Sequence, residues 1–128
     1  MDTTTNSINW FEIPVKDIAR AKKFYEAIFD IKLADMQAMP GMKMAGFPYE
    51  YGNGKVTGAI VEGDMHKPSM DGITIYMNAD PDIQTVIDRI EKAGGRVVMP
   101  RTQITPEYGY MAFFMDTEGN KLGLHARN

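Results

Sequence analysis

Two polar residues, one near each end of the chain, have the side chains best suited to chemistry. Glu12 lies in a strand-like segment close to the N-terminus, and His125 lies in the last such segment. A carboxylate and an imidazole can exchange protons with a bound molecule near neutral pH, and both are metal ligands. We predict Glu12 and His125 as catalytic acid/base groups. The alternative is structural, with Glu12 bonded to a neighbouring strand and His125 at a strand end, half in water.

Side-chain alternation in the first predicted strand, residues 8–15, decides where Glu12 points. One face carries Trp10 and Glu12, and the other is apolar. The apolar face consists of Phe11, Ile13 and Val15. Burying three apolar side chains under a helix is strongly favourable, and a one-residue slip would exchange the two faces. Glu12 is therefore expected on the face opposite the helix.

The last predicted strand is constrained in the same way. Leu122 and Leu124 form its apolar face, so Gly123 and His125 take the other one. A strand after residue 72 carries a second mixed face, which consists of Thr74, Tyr76 and Asn78. Mixed polar and aromatic faces opposite the helices are typical of a cupped sheet that lines a ligand cavity. We expect the two acid/base candidates to point into one such cavity together with Trp10.

The chain contains two similar halves that position these strands. In each half a strand is followed by an Asp cap and an amphipathic helix, and the capping residues are predicted as Asp17 and Asp80, with Pro81 opening the second helix. We predict one domain over 1–128, with module one at about 8–62 and module two at about 72–126. Two modules that share a core favour a pocket where they meet.

Helical spacing and turn residues delimit the remaining elements. The buried stripe of the second helix is predicted as Ile83, Val86, Ile87 and Ile90. Further strands are predicted at about 31–38, 43–49, 56–62, 96–104, 109–115 and 120–126. Glu118 and Asn120 are interpreted as residues of the last turn, and His66 as a solvated loop residue.

Composition narrows the classes of partner. The chain has 128 residues, a net charge of −3 and no basic run, so nucleic acid and anionic membranes are not predicted partners. The absence of cysteine excludes disulfides, thiol catalysis and thiolate metal sites. No apolar run approaches the length of a membrane span, and a cytoplasmic location is predicted.

Two end segments resemble those of the vicinal oxygen chelate superfamily, in its glyoxalase and bleomycin-resistance-like subgroup. The first runs Ile8-Asn9-Trp10-Phe11-Glu12-Ile13-Pro14-Val15, followed by Asp17, Arg20-Ala21 and Phe24-Tyr25. The second is the segment from Gly109 to His125. The resemblance implies an α+β fold in which paired βαβββ modules form a U-shaped, cupped mixed sheet with helices on the outer face.

In metal-using members of the group, strand residues in the cup supply a set of His and Glu ligands. The resemblance implies that the ligand positions fall here on Trp10, Gly123, near Thr74 and loosely near Gly58. Tryptophan and glycine side chains do not ligate a hard divalent cation. The resemblance therefore implies no cofactor and no metal ligands, with a shifted metal site near Glu12 or His125 as the alternative.

Two functions are compatible with these observations. The first is a glyoxalase-like protein that binds a small organic molecule in the sheet cup without the usual metal, as sequestering resistance proteins do. The second is an enzyme, a lyase, isomerase or dioxygenase, that uses a shifted metal or Glu12 and His125. The resemblance, together with the prevalence of twofold oligomers, predicts a homodimer. The predicted ligand-binding residues are Trp10, Thr74, Tyr76, Tyr110, Phe114 and Gly123, although aromatic strand residues also serve as packing. The sequence does not identify the ligand.

Overall fold

The computed structural model describes residues 1–128 and has the predicted α+β architecture. Module one contains β1 (Trp10–Pro14), α1 (Ile18–Phe29), β2 (Ala34–Met36), β3 (Lys43–Gly46) and β4 (Thr57–Glu62). Module two contains β5 (Tyr76–Asn78), α2 (Ile83–Ile90), β6 (Arg96–Thr105), β7 (Gly109–Met115) and β8 (Lys121–Ala126). No helix has both the length and the apolar character needed to cross a membrane.

Each module forms its own four-stranded mixed sheet, and the two sheets have the same topology. The orders are β1-β4-β3-β2 and β5-β8-β7-β6, with the first strand of each module parallel to the last. The sheets are not joined by strand pairing, so the cup is made of two separate sheets. We call the side of each sheet that lies opposite the helices the cup face.

The predicted strand faces and the predicted buried stripe of the second helix are confirmed. Ile13 and Val15 are buried in a core that also contains Leu122 and Leu124, and Phe11 packs against that core. The buried residues of α2 are Ile83, Val86, Ile87 and Ile90, as the spacing predicted. One hydrophobic cluster takes residues from both modules, so the modules share a core within this chain.

The prediction that Asp80 caps the second helix is wrong. Asp17 caps α1 as expected, and its side chain accepts a hydrogen bond from the backbone N–H of Arg20. The cap of α2 is Asp82, two residues later than predicted, whose side chain accepts from the N–H of Gln84. Asp80 instead accepts a hydrogen bond from the backbone N–H of Arg127, and thereby holds the C-terminus beside the start of α2.

The turn at residues 116–120 joins module two to the start of module one. The Glu118 side chain is fully shielded from solvent and accepts hydrogen bonds from two backbone N–H groups, those of Lys16 and Asp17. It also accepts from the Arg20 guanidinium and the Thr117 hydroxyl. Burial alone would raise the pKa of Glu118, but these donors outweigh burial and lower it to about 2. Glu118 is therefore a buried joint between modules rather than a surface turn residue.

Asp116 and Asn120 complete that joint. Asp116 accepts a hydrogen bond of 2.7 Å from the Tyr25 hydroxyl of α1, and it also accepts from the backbone N–H and the side-chain amide of Asn120. The Asn120 amide donates in addition to the Pro14 carbonyl at 2.7 Å. Burial and the neighbouring Asp116 carboxylate raise the pKa of Tyr25 well above its usual value, so its hydroxyl stays protonated as the donor.

Candidate functional site

Glu12 lies on the cup face of β1, where it bonds to Trp10 and His66. The Trp10 indole N–H donates to Glu12 Oε2 at 3.2 Å, and His66 Nε2 lies 2.8 Å from Glu12 Oε1. An ionised carboxylate only accepts hydrogen bonds, so the His66 tautomer in this pair is the one protonated at Nε2. Glu12 therefore belongs to a three-residue cluster that does not include His125.

The interpretation of His66 as a solvated loop residue is wrong. Its side chain is only 18% exposed, and its backbone forms a bridge with Gly63 that folds the loop back on the sheet. Its Nδ1 atom is shielded from solvent and has no hydrogen-bond partner. The partner Glu12 lies 54 residues earlier in the chain. No local sequence pattern could have indicated this contact, because it depends on how the loop crosses the sheet.

The Glu12 carboxylate is better suited to holding the loop that carries His66 against β1 than to catalysis. The hydrogen bond from His66 lowers the pKa of Glu12, burial opposes that shift, and the hydrogen bond from Trp10 adds to the lowering. A carboxylate whose pKa is lowered is a weaker general base than an ordinary one. The second nitrogen of His66 is out of reach of solvent. Neither group is well placed to remove a proton from a substrate.

His125 lies on the other sheet with a partner of its own. Its Nε2 atom lies 2.6 Å from the Tyr108 carbonyl oxygen. His125 and Glu12 line different cavities. The structure therefore does not bring the predicted acid/base pair together, because β1 and β8 belong to separate sheets.

A cavity with a volume of about 800 Å³ lies where the two modules meet. We call it the inter-module cavity. Module one supplies Phe11, Phe29, Phe47 and Val56 to its wall, and module two supplies Val86. Its remaining lining residues are Ile8, Asp30, Ile31, Pro48, Thr57, Ile75, Tyr76, Met77, Asn78, Ala79, Asp80, Pro81, Asp82, Thr85 and Arg89. Phe11 and Val86 face the core, so this part of the cavity lies on the helix side of the sheets. Tyr76 and Asn78, whose side chains alternate onto the cup face, line the cavity where it passes the edge strand β5.

A second cavity of about 520 Å³ adjoins the first along β5. Four residues line both cavities, namely Tyr76, Met77, Asn78 and Asp80. The second cavity adds two side chains from module two, those of Ile104 and His125. The short strand β5 is thus a shared wall, with aromatic and apolar groups toward the larger space and an imidazole at the smaller one.

The predicted ligand-binding residues have different surroundings. Tyr76 lines both cavities. Trp10 is 39% exposed on the cup face, and Thr74 is half-buried just before β5. Neither residue lines the inter-module cavity or the second cavity. Phe114 is fully buried and packs on Phe24, and Tyr110 packs beside the core, so packing rather than cavity lining describes both.

The positions where relatives carry metal ligands do not fit a metal here. A Cβ atom at Gly123 would lie 2.5 Å from the Tyr76 ring, so that ring fills the space into which a ligand side chain would project. The Trp10 indole has no lone pair available for a metal, and its N–H is bonded to Glu12. The chain has no cluster of three or more His, Asp or Glu side chains that could hold an ion.

Comparison with known proteins gives a consistent family match. Residues 7–124 match the model of the family described as Glyoxalase/Bleomycin resistance protein/Dioxygenase superfamily. The chain is 30% identical over 115 residues to a glyoxylase-like domain-containing protein from Didymella fabae, with 88% of each chain covered. It is 31% identical over 125 residues to the Mycobacterium bovis protein named “Putative glyoxylase CFP32”. That match covers 94% of this chain and 45% of the relative, so the chain spans about half the length of that curated relative.

Solved structures share the fold. A glyoxalase/bleomycin resistance protein from Streptomyces sp. CB03234 superposes with a TM-score of 0.68 at 25% identity, covering 93% of this chain and 99% of that one. TnmS3, an antibiotic binding protein from the same organism, superposes with a TM-score of 0.65 at 20% identity, covering 99% of this chain and all of the other. The second likeness concerns the fold alone.

Proposed function

We propose that this chain, which belongs to the Glyoxalase/Bleomycin resistance protein/Dioxygenase superfamily, binds a small organic molecule in the inter-module cavity without a divalent metal. The observation that carries the proposal is the cavity of about 800 Å³ between the two modules. Ligand pockets in proteins fall in the range of about 300–1,000 Å³ and favour the junctions between structural units.

The chemistry of the wall supports an organic ligand with an apolar body. Three phenylalanines, Phe11, Phe29 and Phe47, contribute large apolar surfaces that a ring or alkyl group can cover. Polar side chains such as Asp30 and Arg89 are fewer and would orient the molecule rather than supply most of the affinity. This division between an apolar wall and a few polar groups is the usual design of a small-molecule site.

The relatives support binding as a use of the fold. The Streptomyces protein TnmS3 is an antibiotic binding protein, and its fold covers 99% of this chain. The relatives named as glyoxylases point toward an enzyme instead. Within this chain, the Tyr76 ring over Gly123 and the indole at Trp10 favour binding over metal-dependent chemistry at those positions.

Metal independence has a direct test. The protein purified without added metal should contain far less than one equivalent of zinc, nickel, manganese or iron by elemental analysis. The expectation follows from the donor groups at the family positions, where an indole and a glycine replace a carboxylate or an imidazole. A stoichiometric content of any of these ions would contradict it.

An acid–base enzyme is the second candidate, and the relatives named as glyoxylases are the observation that favours it. In that case Glu12, partnered by His66 rather than His125, would exchange a proton with a molecule on the cup face. Glu12→Gln separates the two candidates. It should leave binding in the inter-module cavity unchanged, whereas it should abolish turnover if the cup face is a catalytic site.

We also propose that two copies associate through the cup faces. Apolar side chains stand exposed there, including Trp10 and Met36, and a symmetric partner would cover them. Light scattering at micromolar concentration should give about twice the chain mass of 14.4 kDa. A mass equal to that of one chain would refute the proposed dimer.

The ligand itself can be sought with a thermal-shift screen of diverse small organic compounds. Val56→Trp places a large ring at a half-buried position in the cavity wall and should remove the shifts that the wild type shows. Val98→Trp is the matched control, because Val98 is exposed on β6 and does not line the cavity. Loss of the shifts in both variants, or in neither, would contradict binding in the inter-module cavity.

A further inference from the structure

We propose that the second cavity is a polar extension of the ligand site, in which His125 Nδ1 accepts a hydrogen bond from a hydroxyl or amine of the bound molecule. This inference rests on the proposed function and adds a chemical class to it. The ligand has an apolar body in the inter-module cavity and a hydrogen-bond donor that reaches past β5. Tyr76 and Asn78 line both spaces, so one molecule can extend along that shared wall.

The tautomer of His125 is fixed by its backbone partner. A carbonyl oxygen accepts and never donates, so the contact of 2.6 Å between His125 Nε2 and the Tyr108 carbonyl requires a proton on Nε2. In the neutral imidazole the other nitrogen, Nδ1, then carries a lone pair and acts as an acceptor. The Tyr108 carbonyl is therefore a positioning group that makes His125 an acceptor.

The Nδ1 atom of His125 is accessible, whereas the Nδ1 atom of His66 is buried. Neither Nδ1 atom has a hydrogen-bond partner, but only that of His66 is buried away from solvent. His125 is half-buried and lines the second cavity. A molecule in that cavity can reach the open nitrogen, whereas the shielded nitrogen of His66 needs the loop to move.

The remaining polar groups of the second cavity also favour a donor on the ligand. The Asp80 side chain accepts one hydrogen bond, from Arg127, through Oδ1, which leaves Oδ2 available. The side-chain oxygen of Asn78 accepts a hydrogen bond from the N–H of Asp80, and its NH2 group has no partner within the chain. His125 Nδ1 and Asp80 Oδ2 are therefore two acceptors available to a donor on the ligand, and the carboxylate disfavours an anionic ligand.

Two probes that differ by a methyl group in place of the hydroxyl hydrogen test the inference. 1-Naphthol and 1-methoxynaphthalene carry the same fused ring, but only the naphthol donates a hydrogen bond. Titration by fluorescence should show the naphthol binding roughly fivefold more tightly to the wild type, the effect of one neutral hydrogen bond. In His125→Leu the two probes should bind equally. Tyr51→Leu, a change at an exposed residue outside the cavities, should keep the preference.

Outcomes separate this inference from the proposed function. Equal binding of both probes to the wild type would overturn the inference while small-molecule binding stands. No binding of either probe would overturn the inference, whereas the proposed site is tested independently by the thermal-shift screen and Val56→Trp. If His125→Leu still binds 1-naphthol more tightly than 1-methoxynaphthalene, a group other than His125 accepts the hydrogen bond from the hydroxyl, and the inference is wrong.

Nitrogen NMR of the wild type tests the same inference without a variant. With ¹⁵N-labelled histidine, His125 should show a protonated Nε2 and a bare Nδ1. 1-Naphthol should shift the Nδ1 resonance, and 1-methoxynaphthalene should not. A proton on Nδ1 in the free protein, or an Nδ1 signal that does not respond to the naphthol, would overturn the proposal.

Discussion

The boundary between the two modules has two ends with different packing. Buried polar groups are hydrogen-bonded at one end, and apolar side chains surround a cavity at the other. At the closed end, the turn at residues 116–120 packs on β1 and α1, and the buried side chains of Glu118 and Asp116 each accept several hydrogen bonds. At the open end, aromatic and apolar side chains such as Phe11 and Val86 surround a cavity of about 800 Å³. The same boundary therefore holds the modules together at one end and leaves room for a molecule at the other.

This difference indicates how the fold can carry a binding site without losing stability. Buried polar groups are costly unless every one is bonded, and the closed end meets that condition within the chain. The open end contains apolar surface that could be covered further, and such surface gains free energy when a ligand covers it. Substitutions at the closed end should thus change stability, and substitutions at the open end should change binding.

The largest effect is expected for Glu118→Ala. Removal of the Glu118 carboxylate leaves the Lys16 and Asp17 N–H groups and the Arg20 guanidinium without their acceptor. The loss should lower the free energy of unfolding by about 3–5 kcal/mol. Urea unfolding measures this change. Glu107→Ala, at an exposed position before β7, is the control and should change stability by less than about 0.5 kcal/mol. A loss as small as the control's would show that the closed end does not hold the modules together.

Acid should weaken the closed end through the same residue. The pKa of Glu118 is about 2 in the folded protein, below its ordinary value of 4.5, so its carboxylate stabilises the fold above pH 4.5. That contribution, on the order of 3 kcal/mol, is lost as the pH falls from about 4.5 to 2. Urea unfolding of the wild type and Glu118→Gln across this range should show the difference between them shrinking. A constant difference would contradict the assignment.

Tyr25→Phe should have an intermediate effect. It removes the hydroxyl that donates to Asp116 at 2.7 Å but keeps the ring in the core. The expected loss is about 1.5–3 kcal/mol, the range for a hydrogen bond to a charged group. Tyr51→Phe, at a residue that is 91% exposed, is the matched control and should leave the unfolding midpoint unchanged.

The smallest effect on stability is expected at the open end. Val56→Ile adds one methylene to the cavity wall and should change the free energy of unfolding by no more than about 0.5 kcal/mol. Its effect should appear instead as a change in the affinity of the compounds found by thermal shift. A large destabilisation would mean that the space around Val56 is already filled.

Particular residues show how far the sequence could predict the fold. Strand parity placed Ile13 and Leu124 in the core, and the helix stripe of α2 was predicted residue by residue, because burial of apolar side chains dominates both patterns. The cap of α2 was misassigned. Asp80 and Asp82 are equally good caps by type, and only the contact of Asp80 with Arg127 distinguishes them.

The candidate site was less predictable because it depends on contacts distant in sequence. The partners of Glu12 and His125 are a loop histidine, His66, and the backbone carbonyl of Tyr108. Backbone carbonyls carry no sequence signal, and loop placement follows from packing rather than from local pattern. The inter-module cavity lies mostly on the helix side of the sheets, whereas the alternation of strand faces predicts a cavity in the cup.

The most direct measurement for the central claim is a crystal structure of the protein with the compound that gives the largest thermal shift. Binding in the inter-module cavity predicts electron density for that compound between Phe11 and Phe29 of module one and Val86 of module two. Density on the cup face beside Trp10 and Glu12, with the inter-module cavity free of the compound, would contradict the account.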